Sequence, residues 1–243
     1  MNRFAFTLAE VLVTLGIIGV VAAMTMPTLI GNAKPKELEA QFKKAHSMLS
    51  QAVITVADEK GVGLRKTFAT HNGKSYANAS EIANAIYEQM KVAGTCTYTG
   101  KVKNYNKSSE NPYVDLGVVR PSKLLANGMC MQVNVNGNMI NLTIDINGPK
   151  KRPNALGQDI FYFYIDDNDT LQPKRMSKLY TDEQIKEMEK NDNPLNNMTS
   201  PQAGNPCSAK SNQRGNGLGC AYYALINQSP DDSTKTFWEN LPK

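Results

Sequence analysis

The chain has 243 residues, 41% of them hydrophobic and 20% charged, which excludes a wholly disordered protein and sets one or two globular domains as the scale. A mean hydropathy of -0.42 excludes a polytopic membrane protein. Lys plus Arg (27) against Asp plus Glu (22) leaves +5, too mild and too scattered for a nucleic-acid partner.

The first thirty residues are far more apolar than the rest. Residues 11–33 carry no charge, and 23 residues at 1.5 Å each make a helix of about 35 Å, enough to cross a bilayer. Glu10 stands at the edge of this run. Three readings compete: a removed signal peptide, with mature material starting at Lys34; a simple anchor; and an anchor that also works inside the membrane. A signal peptide needs an uninterrupted apolar centre after its basic start, and a carboxylate here interrupts it. An ionised side chain in hydrocarbon costs about 2.5–3.5 kcal/mol on insertion scales, so Glu10 requires a positive partner. A free α-amine exists near it only if the chain is cut a few residues earlier.

The segment Ala5, Phe6, Thr7, Leu8, Ala9, Glu10, followed by the apolar run, resembles the prepilin signature of type IV pilins and type II secretion pseudopilins. The resemblance covers about the first thirty residues. It implies a cytoplasmic leader, residues 1–5, removed between Ala5 and Phe6 by a prepilin peptidase, and N-methylation of Phe6. The family usually has glycine where this chain has Ala5. The resemblance further implies a transmembrane and assembly helix over residues 6–30 and an exported globular domain over 31–243. Glu10 and Thr7 become assembly residues, Glu10 pairing with the Phe6 ammonium of an adjacent copy. Gly19 and Pro27 fall where many family members loosen this helix; independently, proline removes an intrahelical hydrogen bond and glycine lowers helix propensity. Gly16, Gly19 and Ala23 place small residues on the helix surface, where membrane helices approach closely.

The implied setting is the bacterial inner membrane, crossed once, with the domain outside the cytoplasm and later in a periplasmic or extracellular filament. The implied partners are other pilin or pseudopilin subunits, the peptidase, an inner-membrane assembly platform and the membrane itself. Charge gives no support to that orientation, because Lys34, Lys36, Lys43 and Lys44 follow the span while Arg3 precedes it.

Beyond the span, Leu38, Phe42, Ala45, Leu49, Ala52, Val53 and Val56 recur every three or four residues, predicting that the helix continues to about residue 60 with one apolar face. Gly61 and Gly63 end it. Asn78 with Glu81 is a capping-box pattern, predicting a second helix carrying Ile82, Ile86 and Met90 and running until Gly94. Residues 130–135, 139–146, 160–165 and 220–226 read as strands. Asn136 and Gly137 join the first two as a hairpin, and residues 167–169 close the third at a turn. The expected fold is therefore α+β, pilin-like: a long N-terminal helix, transmembrane in its first half and amphipathic in its second, packed on a mainly antiparallel sheet.

A short charged helix is expected over 182–190, then a long loop over 191–219. Cys96, Cys130, Cys207 and Cys220 contain no CxxC pair, so finger-type zinc and thiol redox chemistry lose support, and exported disulfides gain it. Four cysteines permit three pairings. The resemblance, in which a carboxy-terminal loop is often stapled, favours Cys207–Cys220 and Cys96–Cys130.

No GxSxG, GxxxxGK[ST] or HExxH pattern is present, and His46 and His71 read as packing or surface residues, so the expectation is no enzyme and no cofactor. Asp145, Asn147 and Asp159, with Gly148 and Gly157 nearby, form a weak calcium candidate. Lys150, Lys151 and Arg152 oppose a cation there, and an Asx-rich turn is the favoured reading. The runner-up function is a non-polymerising, membrane-anchored binding module; the third is an exported enzyme.

Overall fold

The computed structural model describes residues 7–60, 63–65, 76–96, 101–108, 110–111, 122–136, 139–181, 183–184, 187, 204–213 and 215–242. Helix α1 (Leu8–Lys60) is one element of 53 residues. Its window Leu8–Thr25 has a mean hydropathy of 2.2, and none of it is buried against the rest of the chain. One helix is thus apolar and long enough to cross a membrane. From Leu38 onward the same helix turns its apolar stripe inward, and all seven residues of that stripe are buried.

The stripe packs on a six-stranded antiparallel sheet. Its strands are β1 (Val92–Thr95), β4 (Lys123–Leu125), β5 (Cys130–Asn136), β6 (Met139–Asp145), β7 (Ile160–Ile165) and β8 (Leu171–Pro173), neighbours in that order. Strands β2 (Val102–Lys103) and β3 (Glu110–Asn111) form a separate antiparallel pair. In β5, Met131, Val133 and Val135 alternate inward as a half-buried strand requires. Phe42 of α1 is the centre of the helix–sheet contact, its ring 4.6 Å from Phe161, 5.9 Å from Phe163 and 5.4 Å from Trp238. His46 packs beside Phe163 at 5.8 Å, a structural placement.

Helix α2 (Tyr76–Glu88) contributes Ile82 and Ile86 to the same core. It begins before Asn78, so that residue lies within its first turn, and it stops six residues short of Gly94, which belongs to β1. The chain needs those residues as an edge strand: Gly94 pairs with Leu124.

Residues 220–226 are a helix, α3 (Cys220–Ile226), rather than a strand. Their apolar run fits either period, and the deciding contacts are local. Cys220, Ala221 and Ala224 bury one helical face, and Asn227 closes the helix in the left-handed region at φ 50°. A short 3₁₀ turn, Trp238–Asn240, follows and places Trp238 over Phe42, its indole N–H donating to the Ala224 carbonyl at 3.1 Å.

The turn after β7 forms as expected. Asp166 accepts from the Asn168 and Thr170 amides, both at 2.9 Å, and Asp169 sits at φ 56°. Of the charged segment over 182–190, the described Glu183, Gln184 and Glu187 are helical. Thr181 and Gln184 cap that helix reciprocally. Residues 204–213 and 215–219 are loop and turns. His71, Gly137 and residues 191–203 lie outside the described residues.

Candidate assembly end and the buried carboxylate clasp

Helix α1 starts at Leu8, which makes Thr7 its N-cap and Glu10 the third helical residue. The Thr7 amide and hydroxyl both donate to Glu10 Oε2, at 2.8 and 2.9 Å, and the Glu10 amide donates to Thr7 Oγ1 at 3.3 Å. This is a complete capping box, in which two otherwise orphaned amides are satisfied by side chains. The Thr-x-x-Glu spacing is a capping-box pattern in the sequence, masked there by the apolar run that makes the acid read as a charge at a membrane edge.

The lipid-type segment conceals its remaining polar atoms on its own backbone. Thr14 Oγ1 donates to the Glu10 carbonyl at 2.9 Å, and Thr25 Oγ1 to the Val21 carbonyl at 2.9 Å. Leu12, Leu15 and Ile18 are each exposed by 60% or more. A Cβ at Gly16 or Gly19 would meet nothing, so both are open surface on which another helix has room to approach. The helix runs unbroken through Gly19 and Pro27. Ala5 and Phe6 lie outside the described residues.

The second constellation sits at the end of β6. Asp145 and Asp159 are both fully buried. Asp145 Oδ1 accepts the Asn147 and Gly148 amides at 3.1 and 2.8 Å; Asp159 accepts the Asn154 and Ala155 amides, both at 2.7 Å. Burial first, and then the charge of Asp145, raise the Asp159 pKa to about 7, against the amide bonds and a bond from the Asn147 side chain. Asn147 Nδ2 also donates to the Arg152 carbonyl at 3.3 Å. The three residues of the calcium candidate therefore do meet, as a clasp that folds residues 145–159 back on the sheet. Among the described residues, no group of three or more His, Cys, Asp or Glu side chains is arranged to hold a metal ion.

Two disulfides stitch the edges. Cys96, just past β1, is bonded to Cys130 at the start of β5, and Cys207 to Cys220 at the start of α3. Gly157, at φ 71°, packs against the second bridge so closely that a Cβ would lie 2.5 Å from Cys220 Sγ. The clasp and the bridge are thus one packed unit.

Comparison with known proteins finds no matching family model, no matching curated protein and no matching solved structure.

Proposed function

We propose that the chain is a structural subunit of a type IV pilus or a type II secretion pseudopilus. It is cut between Ala5 and Phe6, N-methylated at Phe6, held in the bacterial inner membrane by the first half of α1, and then drawn into a filament through that half. The observation that carries this reading is the division of labour within α1. One continuous helix has an unpartnered apolar half that begins at Thr7 and Glu10, and a second half that supplies the core of an α+β domain. An apolar surface of that extent needs lipid or neighbouring helices around it. The membrane supplies the first and the filament the second.

The role is mechanical rather than catalytic. The ammonium of mature Phe6 pairs with Glu10 of the adjacent copy, replacing two unpaired charges in an apolar setting by one neutral contact and fixing the stagger between subunits. Disulfide-bonded edges suit a domain exposed to an oxidising, extracytoplasmic environment. A Glu10→Ala chain is expected to insert and be processed yet fail to enter filaments; normal incorporation would refute the assembly role.

One observation favours the runner-up, an anchored domain that binds a solute or surface without polymerising. The capping box satisfies Glu10 within its own chain, so the acid has a use without a neighbour. An intact Met1 in mature protein would support that reading.

A further inference from the structure

Two groups of cations lie near where α1 enters the domain, Lys34 with Lys103 and Lys107, and Lys150 with Lys151 and its neighbour Arg152. Lys34 is the first charge after the apolar run. Lys107 stands close enough to it to feel its charge: burial first, then Lys34 and more weakly Lys103 lower the Lys107 pKa, against a counter-pull from Asp159. Lys103 of β2 is tied to the loop beyond the clasp, its amide donating to the Asn154 carbonyl and its carbonyl accepting from the Leu156 amide, both at 2.9 Å. Two residues before Asn154 ends the exposed run Lys150, Lys151 and Arg152. Lys150 and Lys151 line one groove of about 540 Å³ together with Gln41. Gln41 lies seven residues along α1 from Lys34, about 10 Å in a helix.

The acids nearby offset only part of this collar: Glu37 is an exposed charge and Glu110 pairs with Lys103 across β2 and β3, while the rest are occupied or buried. Glu39 is bound by Lys43 at 2.6 Å, Glu37 accepts from the Gln41 amide at 3.1 Å, and Asp145 and Asp159 are buried inside the clasp. Geometry fixes the depth of the collar as well. The charge-free stretch of about 35 Å slightly exceeds a hydrocarbon core of about 30 Å, so with Glu10 at one interface Lys34 falls in the headgroup layer at the other.

We propose that the collar of Lys34, Lys103, Lys150, Lys151 and Arg152 seats the domain on anionic phospholipid headgroups of the leaflet from which α1 emerges. Lys107 adds its charge from a half-buried position, where its ammonium donates to the Pro242 carbonyl at 3.0 Å. The proposal rests on reading Leu8–Thr25 as a membrane span. It gives a use to the lysine excess after the apolar run, which runs against the usual placement of basic residues: the charges address the lipid surface on the domain's own side. Headgroup contact then holds the domain upright at the bilayer until the helix is extracted.

The test places the full chain in nanodiscs of phosphatidylcholine alone and of phosphatidylcholine doped with phosphatidylglycerol, and follows amide hydrogen exchange. In the anionic discs, residues 101–108 and 146–157 are expected to exchange at least about threefold more slowly. The turn over 166–170, beside Ile54 and Ala57 near the far end of α1, stays unchanged. Salt at about 1 M, where the Debye length is about 3 Å, abolishes the difference. So does Lys150→Glu combined with Lys151→Glu and Arg152→Glu, all exposed positions. Incorporation with equal exchange in both discs overturns the collar alone. Slowing by inorganic phosphate in phosphatidylcholine discs overturns it too, because a soluble anion would then suffice. Failure to enter either disc overturns the span reading, and the proposal with it.

Discussion

Thr7 and Glu10 hold each other at the start of α1, the threonine donating twice to one carboxylate oxygen and accepting the glutamate amide in return. The same carboxylate is the proposed partner of a neighbour's Phe6 ammonium, so the two roles compete for it or share it. They separate chemically. Glutamine serves a capping box as glutamate does but carries no charge. Glu10→Gln is therefore expected to keep the helix start and lose filament incorporation, matching Glu10→Ala in an assembly assay by shear and immunoblot. Wild-type assembly by Glu10→Gln alongside defective Glu10→Ala would assign the residue to capping alone.

The clasp makes stability depend on pH. Asp159 is raised from 3.8 in the unfolded chain to about 7 in the fold, so the fold favours its protonated form. Its contribution is complete below about pH 4 and is lost as pH rises through about 7. The Tm of the domain is expected to fall between about pH 4 and about pH 7 and to level off above it, and Asp145→Asn, which removes the neighbouring charge, flattens the profile. A Tm that rises over that interval would contradict the clasp. Millimolar calcium at the upper pH is expected to leave Tm unchanged; an increase of several degrees would show a cation replacing the proton.

Phe42 is wholly buried between Phe161, Phe163 and Trp238. Phe42→Ala is expected to cost about 3–5 kcal/mol in denaturant unfolding. A loss below about 1 kcal/mol would mean that the second half of α1 is not the helix on which the sheet is built.

Replacing Cys207 and Cys220 together by alanine is expected to cost about 3 kcal/mol, the loop-closure value for a bridge of this separation. Gly157→Ala, which strains a positive φ and presses on the same sulfur, is expected to destabilise the same region without touching a cysteine. Urea unfolding curves of both variants check this, and a neutral Gly157→Ala would contradict the packing of clasp on bridge.

The parts of the fold that the sequence revealed are those with long periodic signals. The apolar stripe from Leu38 to Val56 repeats over five turns and can be nothing but one helix face, and β5, β6 and β7 alternate or run apolar for six residues or more. Short elements were opaque. Strands β1, β4 and β8 have three or four residues each, too few to show a period, and are strands because neighbours pair with them. Residues 220–226 carried the same ambiguity, and one buried face of Cys220, Ala221 and Ala224 with a left-handed Asn227 decided it. At the site, the sequence grouped Asp145, Asn147 and Asp159 and favoured the Asx-rich turn that Asp145 makes, but the burial of both acids together depends on fourteen residues folding back, which no local pattern encodes.

In the proposed assembly the mature chain begins at a methylated Phe6 whose amine is free to pair with Glu10 next door. Intact-mass and amino-terminal peptide mass spectrometry of protein purified from its own membrane reads this directly. N-methylphenylalanine at Phe6, with residues 1–5 gone, is the expected result. A chain that still starts at Met1, or one that starts at Lys34, would contradict it.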